Sequence, residues 1–159
     1  MTDIALGYDE TALLFDVAVA GGDLSTDDGL ATAVLVSLFT DRRATADDTL
    51  PAGETDRRGW WGDLVPAVEG DEIGSLLWLL QREKQTTETL ERAREYAREA
   101  LQWMLDDRVA TSVEVTASYV RTGVMQIGVQ LQRPGGEAVD FRYYYNWAAL
   151  EAERVTYGV

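Results

Sequence analysis

An α+β fold is expected for this chain of 159 residues on three grounds. The hydrophobic period changes from helical to alternating near residue 112. Three alternating runs then follow in series, separated by glycine-bearing turns. A charged segment with an alanine-rich stripe comes just before them and supplies a helix to cover one face of the sheet. The expected architecture is an N-terminal extended segment, about three helices and a C-terminal three-stranded antiparallel sheet packed on the long helix. It forms a single domain over 1–159.

The extended segment spans residues 4–19. Leu14, Phe15, Val17 and Val19 sit there among small residues, and Gly21-Gly22 ends the run, which implies one or two short strands. A first helix follows, to about Thr40. Ser25 or Thr26 is placed to cap it, with Asp27 and Asp28 at the positive end of its dipole. Leu30, Val34 and Leu38 recur at spacings of four with Ala31, Leu35 and Phe39 beside them, so the helix is apolar around much of its surface. Arg42 and Arg43 close it. Residues 44–72 then form a long irregular loop punctuated by Pro51, Gly53, Gly59, Gly62, Pro66 and Gly70. Loops of that length inside a domain are usually functional.

Over residues 73–83, Ser75 is a plausible cap and Leu76, Leu77, Trp78, Leu79 and Leu80 read as a short buried helix. Thr86 and Thr87 introduce the longest helix, over 88–107. Its apolar stripe is Leu90, Ala93, Ala97, Ala100, Leu101, Met104 and Leu105, with opposite charges three and four apart outside it. The alternation then begins. Val113, Val115, Ala117 and Tyr119 share one face of a first strand, Met125, Ile127, Val129 and Leu131 of a second, and Val139, Phe141, Tyr143 and Tyr145 of a third. Arg121-Thr122-Gly123 and Pro134-Gly135-Gly136 supply the hairpin turns. A short terminal helix over 146–153 and a flexible tail over 154–159 complete the expectation.

Composition narrows the chemistry. Cysteine and histidine are both absent, which removes disulfides, thiolate nucleophiles, imidazole triads and zinc sites built on either residue. No cofactor or metal is expected: the Asp27-Asp28 and Asp47-Asp48 clusters lack calcium-loop spacing, and no phosphate-binding glycine loop is present. The formal charge of −14 argues against direct nucleic-acid binding. The longest apolar stretch, Leu30 to Phe39, is too short to cross a membrane, and no secretory signal is visible. A soluble protein made in a cytoplasm is expected. Thirteen of the 14 basic residues are arginine, Lys84 being the exception. Arginine is favoured at protein contacts, though a GC-rich or salt-adapted genome gives the same bias.

Candidate contact residues are Trp60 and Trp61 in the long loop, Asp107 and Arg108 after the long helix, and the run Tyr143, Tyr144, Tyr145 and Trp147. Trp60 and Trp61 read either as interface anchors or as a pin holding the loop to its own core. Tyr144 cannot share a face with Tyr143 and Tyr145, so it marks either an exposed edge suited to strand addition or a covered second face.

Three stretches together resemble the Mu-like phage tail baseplate protein family: Leu24 to Val34, Ser37 to Arg43, and the seven residues Arg57-Arg58-Gly59-Trp60-Trp61-Gly62-Asp63. The likeness continues through Ile73 to Leu80 and Ala100 to Trp103 and covers roughly residues 14–145. It implies a virion component of the tail baseplate, assembled in the host cytoplasm. Related small wedge proteins of contractile tails stand in six copies around the hub, join larger wedge subunits through a helical bundle and start the sheath. Other wedge proteins, the tail hub or tube and sheath subunits are the partners so implied. The broader group often carries Glu-Pro-Arg after the long helix. Here the matching place reads Asp106-Asp107-Arg108, with an acid and the arginine kept. Two rival functions stand beside this one: a carboxylate-dependent peptidoglycan hydrolase using Asp106 or Asp107, and an acidic adaptor or DNA mimic.

Overall fold

The protein is α+β in a computed structural model that describes residues 3–9, 14–17, 19–24, 26–27, 29–66 and 68–146. Of the helix expected over 146–153, Asn146 ends a strand instead, and the rest, with Trp147 and the tail, lies outside the described residues. The N-terminal stretch is more paired than its sequence implies. β1 (Asp3–Ile4) pairs antiparallel with β6 (Thr26–Asp27), β2 (Leu6–Asp9) with β3 (Leu14–Val17), and β4 (Val19–Ala20) with β5 (Asp23–Leu24). Two hairpins therefore branch from a short two-stranded base. Gly21 and Gly22 turn the second hairpin with φ of 63° and 87°, a region open to glycine.

That base corrects the expected start of the first helix. Thr26 and Asp27 are strand residues, held by Asp3 and Ile4, and not a capping sequence. α1 (Leu30–Phe39) is entered through Gly29 at φ 82°, with no side-chain cap. Long-range pairing overrode local capping chemistry here. The Thr32 hydroxyl ties α1 back to the base by donating to the Ile4 carbonyl at 3.2 Å.

The chain segment before Leu76 straps the end of α1. Ser75 N donates to Thr40 O at 2.9 Å, Arg42 N to Ser75 O at 3.0 Å, and the buried Ser75 hydroxyl to Leu38 O at 2.5 Å. Gly74 lies so close that an added Cβ would sit 2.3 Å from the Thr40 carbonyl oxygen, and its φ is 98°. Because residues 74–75 bridge to α1, the helix expected over 73–83 shrinks to one 3₁₀ turn, Leu77–Leu80, all four of whose residues are buried.

α2 (Thr87–Ala100) begins with the Thr86 hydroxyl accepting from Thr89 N at 3.2 Å, an N-cap bond. Thr89, Ala93, Ala97 and Ala100 form its buried edge. The helix breaks at Leu101 and Gln102 and resumes as α3 (Trp103–Asp106), so the expected continuous helix over 88–107 is a bent one. Among the described residues the helical content is α1, this bent helix and short 3₁₀ turns.

The sheet follows the alternation residue for residue. β7 (Ser112–Arg121), β8 (Val124–Gln132) and β9 (Ala138–Asn146) pair antiparallel in chain order. Val115 faces Val129, which faces Phe141; Ala117 faces Ile127, which faces Tyr143. Gly123 (φ 79°) and Gly136 (φ 86°) occupy the two turns. The apolar face packs on both helices: Leu30, Val34 and Leu38 of α1 and Ala93 and Ala97 of α2 share one core with Val115, Met125, Ile127, Val129 and Leu131. A smaller core of Ala44, Leu76, Trp78 and Leu79 lies beneath the long loop, with Leu50 and Tyr96 packed on it.

Candidate protein interface

The 57–63 segment divides its residues between inward and outward work. Arg58 turns inward. Its guanidinium sits 2.8 Å from an Asp41 carboxylate oxygen and 3.8 Å from Glu54, donates to the Gln81 side chain at 3.3 Å, and lies 4.5 Å from the Trp78 ring centre. Only 13% of its side chain is exposed. Arg57 donates to the Thr45 and Ala46 carbonyls, and Ala44 N donates to Arg57 O at 2.9 Å. Arg43 closes the seam by donating to the Arg58 carbonyl at 3.1 Å. A charged fork can satisfy several acceptors at once, which explains how a loop without regular structure is fixed by arginines. Asp48 adds a turn, accepting from both the amide and the hydroxyl of Thr45 at 2.7 Å. Those bonds stabilise its ionised form and lower its pKa.

The two tryptophans turn outward. Trp61 is 78% exposed and Trp60 42%, with their rings 5.2 Å apart. Leu64 and Val65 extend this ledge at 82% and 87% exposure. The reading in which the pair pins the loop to its own core is thus replaced: Arg58 is the pin. The Trp60 ring lies over Gly62, and an added Cβ there would meet ring atoms at 2.0 Å and displace the indole. Asp63 holds the far side of the ledge, accepting from Ile73 N at 3.2 Å.

Below the ledge runs an open groove of about 730 Å³. Its floor includes Ala33, Val36 and Ser37, one face of α1, together with Ala100 and Trp103. The Trp103 indole N–H donates to the Ser37 hydroxyl at 3.0 Å, so its polar edge is satisfied while its ring stays 37% exposed. Four carboxylates stand along the groove: Asp63, Asp71, Glu72 and Asp107. Among the described residues no arginine or lysine lines it. α1 therefore has two apolar sides, one in the core and one facing this groove.

The candidate contact residues separate on this geometry. Trp60, Trp61 and Asp107 are brought together at the groove. Arg108 is exposed beside it, in the left-handed conformation at φ 58°, where the chain leaves α3. Tyr143 lies in the core, edge-on to Phe39 with ring centres 5.5 Å apart, and burial pushes its phenol well above the ordinary range. Its side chain faces inward, away from any surface. Tyr145 is half-buried, stacked on Phe39, and accepts from the Gln81 amide at 3.1 Å. Tyr144, half-buried, points to the opposite, polar face of the sheet, opposite Gln126. Trp103, Leu64 and Val65 were missed by sequence reasoning. A tryptophan outside the apolar stripe of the long helix was the available signal for Trp103.

Asp106 and Asp107 serve different surroundings. Asp106 accepts from the Gln102 side chain at 3.0 Å, whereas Asp107 lines the groove. Among the described residues no cluster of acidic side chains is arranged to hold a metal ion, and no helix is long and apolar enough to cross a membrane.

An outward tryptophan ledge thus overhangs an apolar groove rimmed by carboxylates. The chain belongs to the phage protein GP46 family, whose model matches residues 30–138 and so takes in both helices, the ledge and most of the sheet. It is 46% identical over 143 residues to baseplate protein gp46 of Escherichia phage Mu, covering 90% of this chain and 95% of that protein. It is 36% identical over 148 residues to Mu-like prophage FluMu protein gp46 of Haemophilus influenzae, covering 93% and 99% respectively. The likeness to Mu-like baseplate proteins read from the sequence is thereby shown.

Proposed function

We propose that the chain is a structural component of a contractile-tail baseplate, joining wedge subunits around the hub and supporting sheath initiation. The name of the phage Mu relative supports the baseplate role. The observation that carries the docking role is the division of labour in the 57–63 segment: arginines are spent inside to hold two tryptophans outside. Large exposed aromatic groups of this kind are the usual anchors of protein interfaces. The contact surface is Trp60, Trp61, Asp107 and Arg108, with Trp103 added as its floor. Tyr144 and Tyr145 form a second contact region on β9, and Trp147, which follows in sequence and lies outside the described residues, is proposed as a further contact.

Sheath initiation is the finer part of the reading. β7 and β9 are both edge strands, ten and nine residues long. Long edges present unpaired backbone donors and acceptors and are suited to receiving a strand from another subunit. The test is complementation of a phage that lacks this chain. Wild-type protein is expected to restore sheathed tails. The Trp60→Ala/Trp61→Ala protein is expected to fold and to yield tails without a completed baseplate. Normal tails from that folded double variant would contradict the docking role.

A further inference from the structure

The groove beneath the tryptophan ledge carries a statement about its occupant. Its lining is apolar on the floor, from Ala33, Val36 and Trp103, and anionic around it. Asp63 is partly engaged by the Ile73 amide. Asp71, Glu72 and Asp107 take part in no ion pair among the described residues, although the chain pairs its other acids repeatedly, as in Asp41–Arg58, Glu83–Arg92 and Glu99–Arg42. In the flanking loop Arg57 and Arg58 are committed to its interior and Arg42 to Glu99; Glu72 also borders a second pocket lined by Arg42, Arg43 and Arg57, and Arg108 follows Asp107 in the chain without lining the groove. The groove lining thus keeps an excess of negative charge, clearest at Asp71 and Asp107, beside exposed tryptophan faces. Like charges gathered beside an apolar surface are tolerated at low cost only while solvated, and they are stabilised when an opposite charge arrives. Aromatic faces attract the same cations.

We infer that this groove receives a cationic amphipathic segment of another baseplate protein, its apolar side chains on the α1–Trp103 floor and its arginines or lysines against Asp71 and Asp107. The inference rests on the baseplate reading and deepens it by giving the partner's chemistry. A second copy of this chain is a poor occupant, because each copy carries a formal charge of −14. The volume suits a few large side chains and not a whole domain.

The test places a photoreactive benzoylphenylalanine at Leu64, and separately at Val65, in a complementing phage. Both positions are largely exposed, so the substitution leaves the core intact. Tails are purified and irradiated, and the linked peptide is sequenced. The expected result is a peptide from another virion protein with apolar residues flanked by at least two Arg or Lys. Charge reversal by Asp71→Lys with Asp107→Lys is expected to cut the yield of that product at least tenfold. An acidic or uncharged linked peptide, a second copy of this chain, no product from either position, or a yield unchanged by the reversal would overturn the inference. Immunodetection of the chain in the same purified tails separates the two failures. Chain present without the expected product leaves the baseplate role standing. Chain absent from tails removes both.

Discussion

Arg58 and Trp61 belong to one loop, yet their substitution has opposite expected signatures. Arg58→Ala takes a partner from Asp41 and Glu54 and uncovers the Trp78 ring, and is expected to cost roughly 1–3 kcal/mol, because the guanidinium and Glu54 are largely buried while Asp41 is more exposed. Urea denaturation measures this as a lower midpoint. Trp61→Ala removes a side chain that touches mostly solvent, so stability should shift by no more than about 0.5 kcal/mol while tail assembly falls. Arg108 gives a third contrast. A left-handed backbone costs a non-glycine residue about 1 kcal/mol, so Arg108→Gly is expected to raise the thermal midpoint. A backbone cost retained at an exposed arginine is understandable if the side chain serves a contact. Arg108→Gly should then lower incorporation into tails, read by quantitative immunoblotting of purified particles, even as it stabilises the fold.

Among the elements, packing between α2 and the sheet depends on small side chains. Ala93 and Ala97 are fully buried against the sheet. Ala97→Leu should therefore overpack this layer and cost roughly 1–3 kcal/mol in denaturant titration. The long loop has a pH signature of its own. The Asp48 pKa is lowered by the Thr45 bonds, so its contribution is complete above the ordinary carboxylate value and is lost as pH falls through the lowered one. Amide exchange of Thr45 should accelerate relative to a Asp48→Asn protein only in that acid window. The legible elements were those with a clean period. The sheet could be read because Val115, Val129 and Phe141 each sit in unbroken alternation, and such a register is fixed once one face is buried. The helix over 73–83 could not, because Leu76 to Leu80 is apolar in every direction and carries no period, while Gly74 and Ser75 were claimed by the end of α1. The start of α1 was misread because Thr26 and Asp27 have capping chemistry but find strand partners across the chain in Asp3 and Ile4. In the docking face, Trp60 and Trp61 were conspicuous as adjacent loop aromatics. Their orientation was not, since it depends on Arg58 reaching Asp41 and Gln81 through space.

Taken as a whole, the molecule is a small α+β body that turns one apolar helix side, a tryptophan ledge and a row of carboxylates toward the same groove. A formal charge of −14 repels like copies and, on the proposed reading, favours oppositely charged neighbours, an effect that salt weakens. Release of the chain from dissociated baseplates should accordingly rise with ionic strength, measured by sedimentation of tail fragments across a salt series. The central claim is that this chain is built into the baseplate. Immunogold labelling of purified tails with antibody against the chain tests it most directly. Gold confined to the baseplate end is the predicted result, and tails that carry the other baseplate proteins but no gold would contradict it.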